Sequence, residues 1–298
     1  VPRVTVLIPA YAAARFIAAT LDSVAAQTYR DFEIIVVDDG SPDDTKPVVD
    51  AWLARTGIPG ACIRRPNGRI AAARNTGLRQ AKGELIALLD HDDFWTADKL
   101  ALTIAEFDAH PEAVLVGHHV DVVRDGVTLR TERRGPAVAN MYERLLFVGN
   151  AVSPSGATFR RDKALEIDGF RENPEFNTVE DYDFWMRLSR LGPFRFIDRT
   201  LASYTLIPGS ASSKIESHYS NQESLLRDHF ASYIGANPSL CDRLRMRRRM
   251  SYVYRAAAGA LLEPGSDNKL RCRYVLRMLA AWPLSIKNLG RAAQSVLA

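Results

Sequence analysis

Two rhythms of apolar and polar residues alternate through the first third of the chain. Val4-Thr5-Val6-Leu7-Ile8 is a short apolar run closed by Pro9, the pattern of a strand buried in a parallel sheet. Phe16, Ile17, Leu21 and Val24 then recur at helical spacing, which predicts an amphipathic helix over about Ala13 to Gln27. Glu33 to Val37 reads as the second strand, with Asp38-Asp39-Gly40-Ser41 as its turn. Pro42, Asp43 and Asp44 suit the first turn of a following helix that carries Val48, Val49, Trp52 and Leu53. Ala61 to Arg64 is a weaker third strand, Asn67-Gly68 a turn, and Ile70 to Ala81 a helix stopped by Gly83. Glu84 to Leu89 is the fourth strand and runs directly into Asp90-His91-Asp92-Asp93. This alternation predicts a parallel α/β sheet whose ligands sit at the C-terminal ends of its strands.

Beyond Asp108-Ala109-His110-Pro111 the pattern changes. Ala113 to Val116, Val120 to Val123 and Val127 to Arg130 are strand-like, the last two joined across Asp125-Gly126. Gly156 to Arg160 is another short strand, Glu180 to Leu191 a helix, and Phe194 to Asp198 a strand. From Lys214 the chain reads as helix throughout, broken at Pro238 and Pro264-Gly265. The division expected is residues 1–212 as an α/β domain and 213–298 as a helical region.

With 298 residues, 47% hydrophobic and 25% charged, the chain has the composition of an ordinary globular protein. No apolar run is long enough for a membrane-spanning helix, and the N-terminus enters a strand without a signal-peptide pattern. Cys62, Cys241 and Cys272 are odd in number and scattered, so they make neither a disulfide framework nor a CxxC metal site. Each is expected as a small buried apolar side chain, and the setting as cytoplasmic, with peripheral contact at the inner face of a membrane a further option. The net charge of +4 conceals an asymmetry: residues 241–298 carry +9, which leaves −5 for the rest.

Two strands end in acid-rich turns, Asp38-Asp39 and Asp90, Asp92, Asp93. In a parallel sheet these ends share one edge, so the carboxylates converge on one crevice. Crowded like charges repel unless a cation lies between them, and Asp-x-Asp offers hard oxygens for Mg²⁺ or Mn²⁺. Acids after strands also serve as caps and turn formers, the role expected of Asp43, Asp44 and Asp98.

These segments resemble the family 2 glycosyltransferases of the GT-A fold. The resemblance is carried, in order, by Val6 to Tyr11, Ser23 to Ile34, Val37-Asp38-Asp39-Gly40-Ser41, Ala73-Arg74-Asn75-Thr76-Gly77, Gly83 to Ile86, Leu89 to Trp95 and Glu180 to Leu188, and it covers about residues 4–212. It implies a mixed, mainly parallel sheet with helices on both faces, followed here by a helical C-terminal extension. It also implies a nucleotide-diphosphate sugar as donor, UDP most commonly. Asp39 would read the nucleobase, Pro9 and Tyr11 would line the base pocket, and Asp90 would reach the ribose or the metal's surroundings. Asp92 would hold the divalent cation on the diphosphate, and Arg69 or Arg74 would contact phosphate, unless they lie on a solvated helix face. Ala12 stands where relatives often carry Asn, which removes one polar contact.

Transfer also needs a base for the acceptor hydroxyl. Asp181 is the candidate, at the start of a helix whose dipole keeps a carboxylate ionised, with Glu180 to orient the acceptor or share the role. The reaction implied inverts the anomeric centre. His118 and His119 read as strand-end histidines, and Trp95 and Trp185 equally as core or as sugar platforms. Tyr204 to Ser212 resembles a loop that closes over the donor, with Ser210 or His218 in reach of the diphosphate. The basic run Arg243, Arg245, Arg247, Arg248, Arg249 and its echo at Arg271, Arg273 and Arg277 suit either helices docked on the protein or an anionic membrane surface near a lipid-linked acceptor. Nucleic acid does not suit the acidic body. A dinucleotide-dependent oxidoreductase would need GxGxxG after the first strand, where Pro9 to Phe16 holds no glycine. A nucleotidyltransferase or a non-catalytic sugar-nucleotide-binding module remain as alternatives.

Overall fold

In the computed structural model, residues 1–207, 215–235, 238–262, 266–283 and 285–297 are described. The strands Val4–Ala10 (β1), Phe32–Asp38 (β2), Gly60–Arg64 (β3) and Leu85–Leu88 (β4) pair in parallel in the order β3-β2-β1-β4. The helices Ile17–Ala25 (α1), Thr45–Thr56 (α2) and Arg69–Gln80 (α3) connect them. The two-residue period of β1 sorts its side chains between two layers. Val4, Val6 and Ile8 join Ile17, Leu21, Val24 and Trp52 in one core cluster. Leu7 faces the other way onto α3, where a Cβ on Gly77 would lie 2.0 Å from Leu7 Cδ1. Each such fully buried aliphatic side chain contributes about 1.5–3 kcal/mol.

The sheet continues through Phe94–Trp95 (β5), the helix Lys99–Ala109 (α4), Leu115–Arg124 (β6), Val127–Glu132 (β7) and the helix Met141–Phe147 (α5). After these come Thr158–Arg160 (β8), the helices Arg161–Glu166 (α6) and Glu180–Leu188 (α7), and Phe194–Thr205 (β9). The full order is β3-β2-β1-β4-β8-β6-β9-β5, with β7 on β6. Beyond β4 the pairings are antiparallel except β6 with β9, so the sheet is mixed, with a parallel half that carries the acidic turns. The strands expected at Ala113 to Val116 and Val120 to Val123 are one strand, β6, bent by register shifts around His118 to Val120, and β9 runs seven residues beyond Asp198.

Contacts divide the chain into two units. The first comprises Val1–Leu145, Asn150–Glu172 and Glu180–Ile207; the second comprises Leu146–Gly149, Asn173–Val179 and Pro208–Ala298. The boundary expected at residue 212, the loop residues 208–212 with Ser210, and the break at Pro264-Gly265 lie outside the described residues.

The second unit is built on the helices Ile215–Ile234 (α8), Leu240–Ala260 (α9), Asn268–Ala281 (α10) and Ile286–Leu297 (α11). Ser239 and Asp242 form a capping box at the start of α9, and Asp267 caps α10. Short segments of earlier sequence are stitched into this helical array. The Phe147 ring lies 5.6 Å from Phe230 and 5.5 Å from Tyr233, Arg249 donates to the Leu146 carbonyl, and Asn221 donates to the Asn177 carbonyl. Much of the basic run is spent internally. Arg247 donates to the carbonyls of Ala280 and Ala281, Arg271 to that of Leu261, and Arg277 and Arg227 share Glu223. Cys62 is half-buried, but Cys241 and Cys272 are exposed, against the expectation of three buried thiols, because both occupy outward positions on helices. Among the described residues, no helix is long and apolar enough to cross a membrane.

Candidate active site

Because β1 pairs in parallel with both β2 and β4, the turns after β2 and β4 flank the end of β1. The Asp39 amide donates to the Ala10 carbonyl at 2.9 Å, and the Leu89 amide donates to that of Leu7 at 3.1 Å. Period two places the neighbouring acids of the first turn differently. Asp38 is fully buried, accepting from the Ser41 amide and lying 3.4 Å from Arg64, whereas Asp39 turns toward the loop before α3. Asp39 Oδ1 accepts from Arg65 Nη1 at 2.8 Å and from the Gly68 amide at 3.0 Å, and the Asn67 amide side chain donates to the Asp39 carbonyl. Gly40 makes this approach possible: its φ is +74°, and a Cβ there would meet the Asn67 nitrogen at 2.9 Å. Pro9 is buried at the end of β1, and Tyr11 beyond it is half exposed. Two non-glycine residues with left-handed backbone adjoin these turns, Ala12 at φ 51° and Arg69 at φ 71°, the kind of local strain that collects at binding sites.

The Asp-His-Asp-Asp turn is pinned from several sides. The His91 carbonyl accepts from Thr20, and its ring Nδ1 lies 3.2 Å from the Pro9 carbonyl. The Asp90 amide donates to Ser155 Oγ, and the Ser155 hydroxyl donates to Asp93 Oδ2. The other Asp93 oxygen accepts from the Thr205 amide at the end of β9. Burial, then the charges of Asp90 and Asp92, push the Asp93 carboxyl well above the usual carboxylate range. Asp93 is therefore a structural clamp. Asp92 is partly buried, and burial, with a further push from Asp90, raises its carboxyl as well. No ion pair engages Asp92 among the described residues.

The segment Ala73-Arg74-Asn75-Thr76-Gly77 has a physical reason at three of its positions. Gly77 admits Leu7. Asn75 donates to the Phe170 carbonyl and to Glu172 and accepts from the Phe170 amide, fixing the loop before α7. Arg74 is 1% exposed, so it lies on no solvated helix face. Its Nη2 donates to Asp90 Oδ1 at 3.1 Å and its Nη1 to Glu180 Oε1 at 2.7 Å.

At the start of α7, Glu180 is buried and Asp181 partly so. Burial pushes Glu180 up to about 7, the Arg74 cation pulling against it. Asp181 is also raised, by burial first, against the downward pull of Arg74 and a hydrogen bond from Asn150. The helix dipole expected to hold Asp181 low thus competes with desolvation. Proton affinity rises in consequence, which favours a group that must accept a proton.

The structure brings Asp90, Arg74 and Glu180 into one network and sets Asp39 on the other side of the β1 end. Arg69 is exposed and outside that network. His118 is buried and pushed down to about 3 by burial and Lys99; His119 is paired with Asp198. Trp95 and Trp185 are core. His218 bonds Thr178 within the second unit. Among the described residues no three His, Cys, Asp or Glu side chains group as a metal site. Asp92 does fit a cation held mainly by a diphosphate. It is a hard oxygen donor with no ion pair, beside the like charge of Asp90, where a positive charge is favourable. Ser155, Asn150 and Arg65 carried no periodic or motif signal, since each acts through a contact distant in sequence.

Residues 5–168 match the model of glycosyl transferase family 2. The chain is 29% identical over 200 residues to the chondroitin synthase of Escherichia coli, a match covering 67% of this chain and 28% of that protein. It spans between 26% and 54% of the length of the first curated relatives it matches. Among solved structures, S. aureus TarS 1–349 in complex with UDP-GlcNAc superposes with a TM-score of 0.68 at 19% identity, covering 97% of this chain and 89% of that one. The mannosyltransferase PcManGT from Pyrobaculum calidifontis, in complex with GDP-Man and Mn²⁺, gives 0.61 at 22%, covering 100% and 80%. These neighbours share the GT-A fold. The acid-ended parallel strands, the Ala73 to Gly77 segment and the family match thus agree: the chain belongs to glycosyl transferase family 2.

Proposed function

We propose that the chain is an inverting glycosyltransferase. It moves a sugar from a nucleotide-diphosphate sugar, a UDP-sugar by preference, to a glycan or lipid-linked acceptor in cell-surface polysaccharide synthesis. The observation that carries this reading is the single network from Asp90 through Arg74 to Glu180, beside Asp181, at the edge where the parallel strands end. The relatives named above, a polysaccharide synthase and two nucleotide-sugar complexes, support the same class.

Asp39 binds the base through Oδ2, which among the described residues accepts otherwise from the shared Gly68 amide, while Pro9 and Tyr11 line the base pocket. Asp90 takes the ribose, and the exposed Arg69 takes phosphate. Asp92 holds a divalent cation, Mn²⁺ or Mg²⁺, which when bound offsets charge on the diphosphate. Asp181 removes the acceptor hydroxyl's proton as that oxygen bonds to the anomeric carbon. The bond from the anomeric carbon to the diphosphate oxygen breaks, and the nucleoside diphosphate leaves with the electron pair. Attack from the face opposite the leaving group inverts the centre.

On the second unit, Leu240, Leu244 and Ile286 are exposed, as are Arg243 and Lys287, apolar and basic side chains that suit peripheral contact with an anionic bilayer. The test of the donor reading is a thermal-shift screen of UDP-, dTDP- and GDP-sugars with and without Mn²⁺. One nucleotide class should raise the melting temperature, and more so with metal. No shift with any of them would overturn the reading.

A further inference from the structure

We propose that Arg74 is a positioning residue for the transfer: its one guanidinium joins the Asp90 turn to the first turn of α7, holding Glu180 and, through it, setting the ground for Asp181. This rests on the reading of Asp181 as the base.

Three observations carry it. Arg74 is 1% exposed and bonds two carboxylates from elements distant in sequence, one after β4 and one on α7. A planar fork with several fixed donors can hold two carboxylates at once, which a lysine ammonium does less well. The ring of Phe170 packs near the guanidinium, 5.4 Å away, and Phe170 is itself fixed by Asn75, the next residue on α3. Consecutive residues of one helix therefore hold the loop before α7 and the first residue of α7.

The charge arithmetic gives Arg74 a second effect. Asp181 faces Arg74 from α3, Asp90 from the turn after β4, Glu180 from its own helix and the Asn150 amide. Arg74 is the cation beside these carboxylates, and it draws both Glu180 and Asp181 toward the ionised form against burial. A base must be unprotonated before it can accept the hydroxyl's proton, so removing this cation disarms Asp181 without touching substrate. The picture differs from Arg74 as a phosphate ligand, because the side chain is 1% exposed and each outer nitrogen already donates to a carboxylate.

The test uses the full chain with ¹³C-carboxyl-labelled aspartate, the Asp181 signal assigned by its loss in Asp181→Asn. The Asp181 titration midpoint and the affinity for UDP with Mn²⁺ are measured in wild type, Arg74→Met and Arg74→Lys. The midpoint should move to higher pH in Arg74→Met and by less in Arg74→Lys. An unmoved midpoint in folded Arg74→Met overturns the proposal. So does a loss of UDP affinity of about tenfold or more with the midpoint unmoved, which would make Arg74 a donor contact. If Arg74→Met does not fold, Arg74→Lys decides: its single, shorter-reaching nitrogen must still raise the midpoint, and an unmoved one overturns the proposal. Failure of the underlying reading shows separately, as Asp181→Asn retaining transfer.

Discussion

Arg65 Nη1 donates to Asp39 Oδ1 at 2.8 Å, so the carboxylate proposed to read the nucleobase already carries a cation on one oxygen. The pairing leaves Oδ2 to meet an imino N–H and fixes the direction from which a base approaches. Asp39→Ala should weaken UDP binding by about tenfold to a hundredfold, the worth of one charge-assisted hydrogen bond, with little change in fold. Calorimetric titration with UDP reads this directly, and unaltered affinity would remove Asp39 from the base pocket.

Asp181→Asn should bind UDP as the wild type does and lose transfer by about a thousandfold, within the usual range for removing a general base. Initial rates together with UDP affinity separate chemistry from binding. Near-normal turnover would assign the base elsewhere.

The pH dependence of stability follows from Glu180. Its folded-state value of about 7 lies above the ordinary 4.5, so the fold prefers the protonated acid. The resulting stability is fully present below about pH 4.5 and is lost as pH rises toward 7. Glu180→Gln keeps the shape and removes the ionisation. Its melting temperature should fall less steeply than that of the wild type across this window, and parallel curves would count against the assignment.

Ser155→Ala should cost about 1–3 kcal/mol, since it leaves the buried Asp93 carboxyl short of a donor and frees the Asp90 amide. Urea denaturation measures the stability. Binding of Mn²⁺ with UDP should weaken in the same variant, because the turn that carries Asp92 loses its pivot.

Arg243→Glu combined with Lys287→Glu should move the protein from pellet to supernatant when sedimented with anionic vesicles, both residues being exposed. Equal recovery of wild type and variant in the supernatant would rule out the bilayer contact.

The parallel half of the sheet was legible because β1, β2 and β4 are dense apolar runs ended by turn residues, and local signals suffice for such strands. The second half was less so. The helix α4 escaped notice, and β6 was divided in two at Gly117 to His119, where register shifts bend one continuous strand. The acids of the candidate site could be named because Asp39 and Asp90 follow strands. What holds them could not: Ser155, Asn150 and Arg65 act across long sequence separations, and Arg74 looks like any helix-face arginine until Asp90 and Glu180 are seen around it. The basic run, which read either as docked helices or as a membrane surface, makes several of its bonds inside the second unit, a use of arginine that no charge count distinguishes from solvent exposure.

Residues 146–149 and 173–179 belong with the helices that follow residue 208, not with their immediate neighbours in sequence. A ribosome therefore releases both segments long before their partners exist. Until α8 and α9 emerge, Phe147 lacks Phe230, the Leu146 carbonyl lacks Arg249, and the Asn177 carbonyl lacks Asn221. The residue after Val179 is Glu180, so the stretch of chain leading directly into α7 is one that lacks its partners until α8 is made. Clipping the C-terminal helices would not trim a dispensable appendage; it would orphan two stretches of the chain's middle.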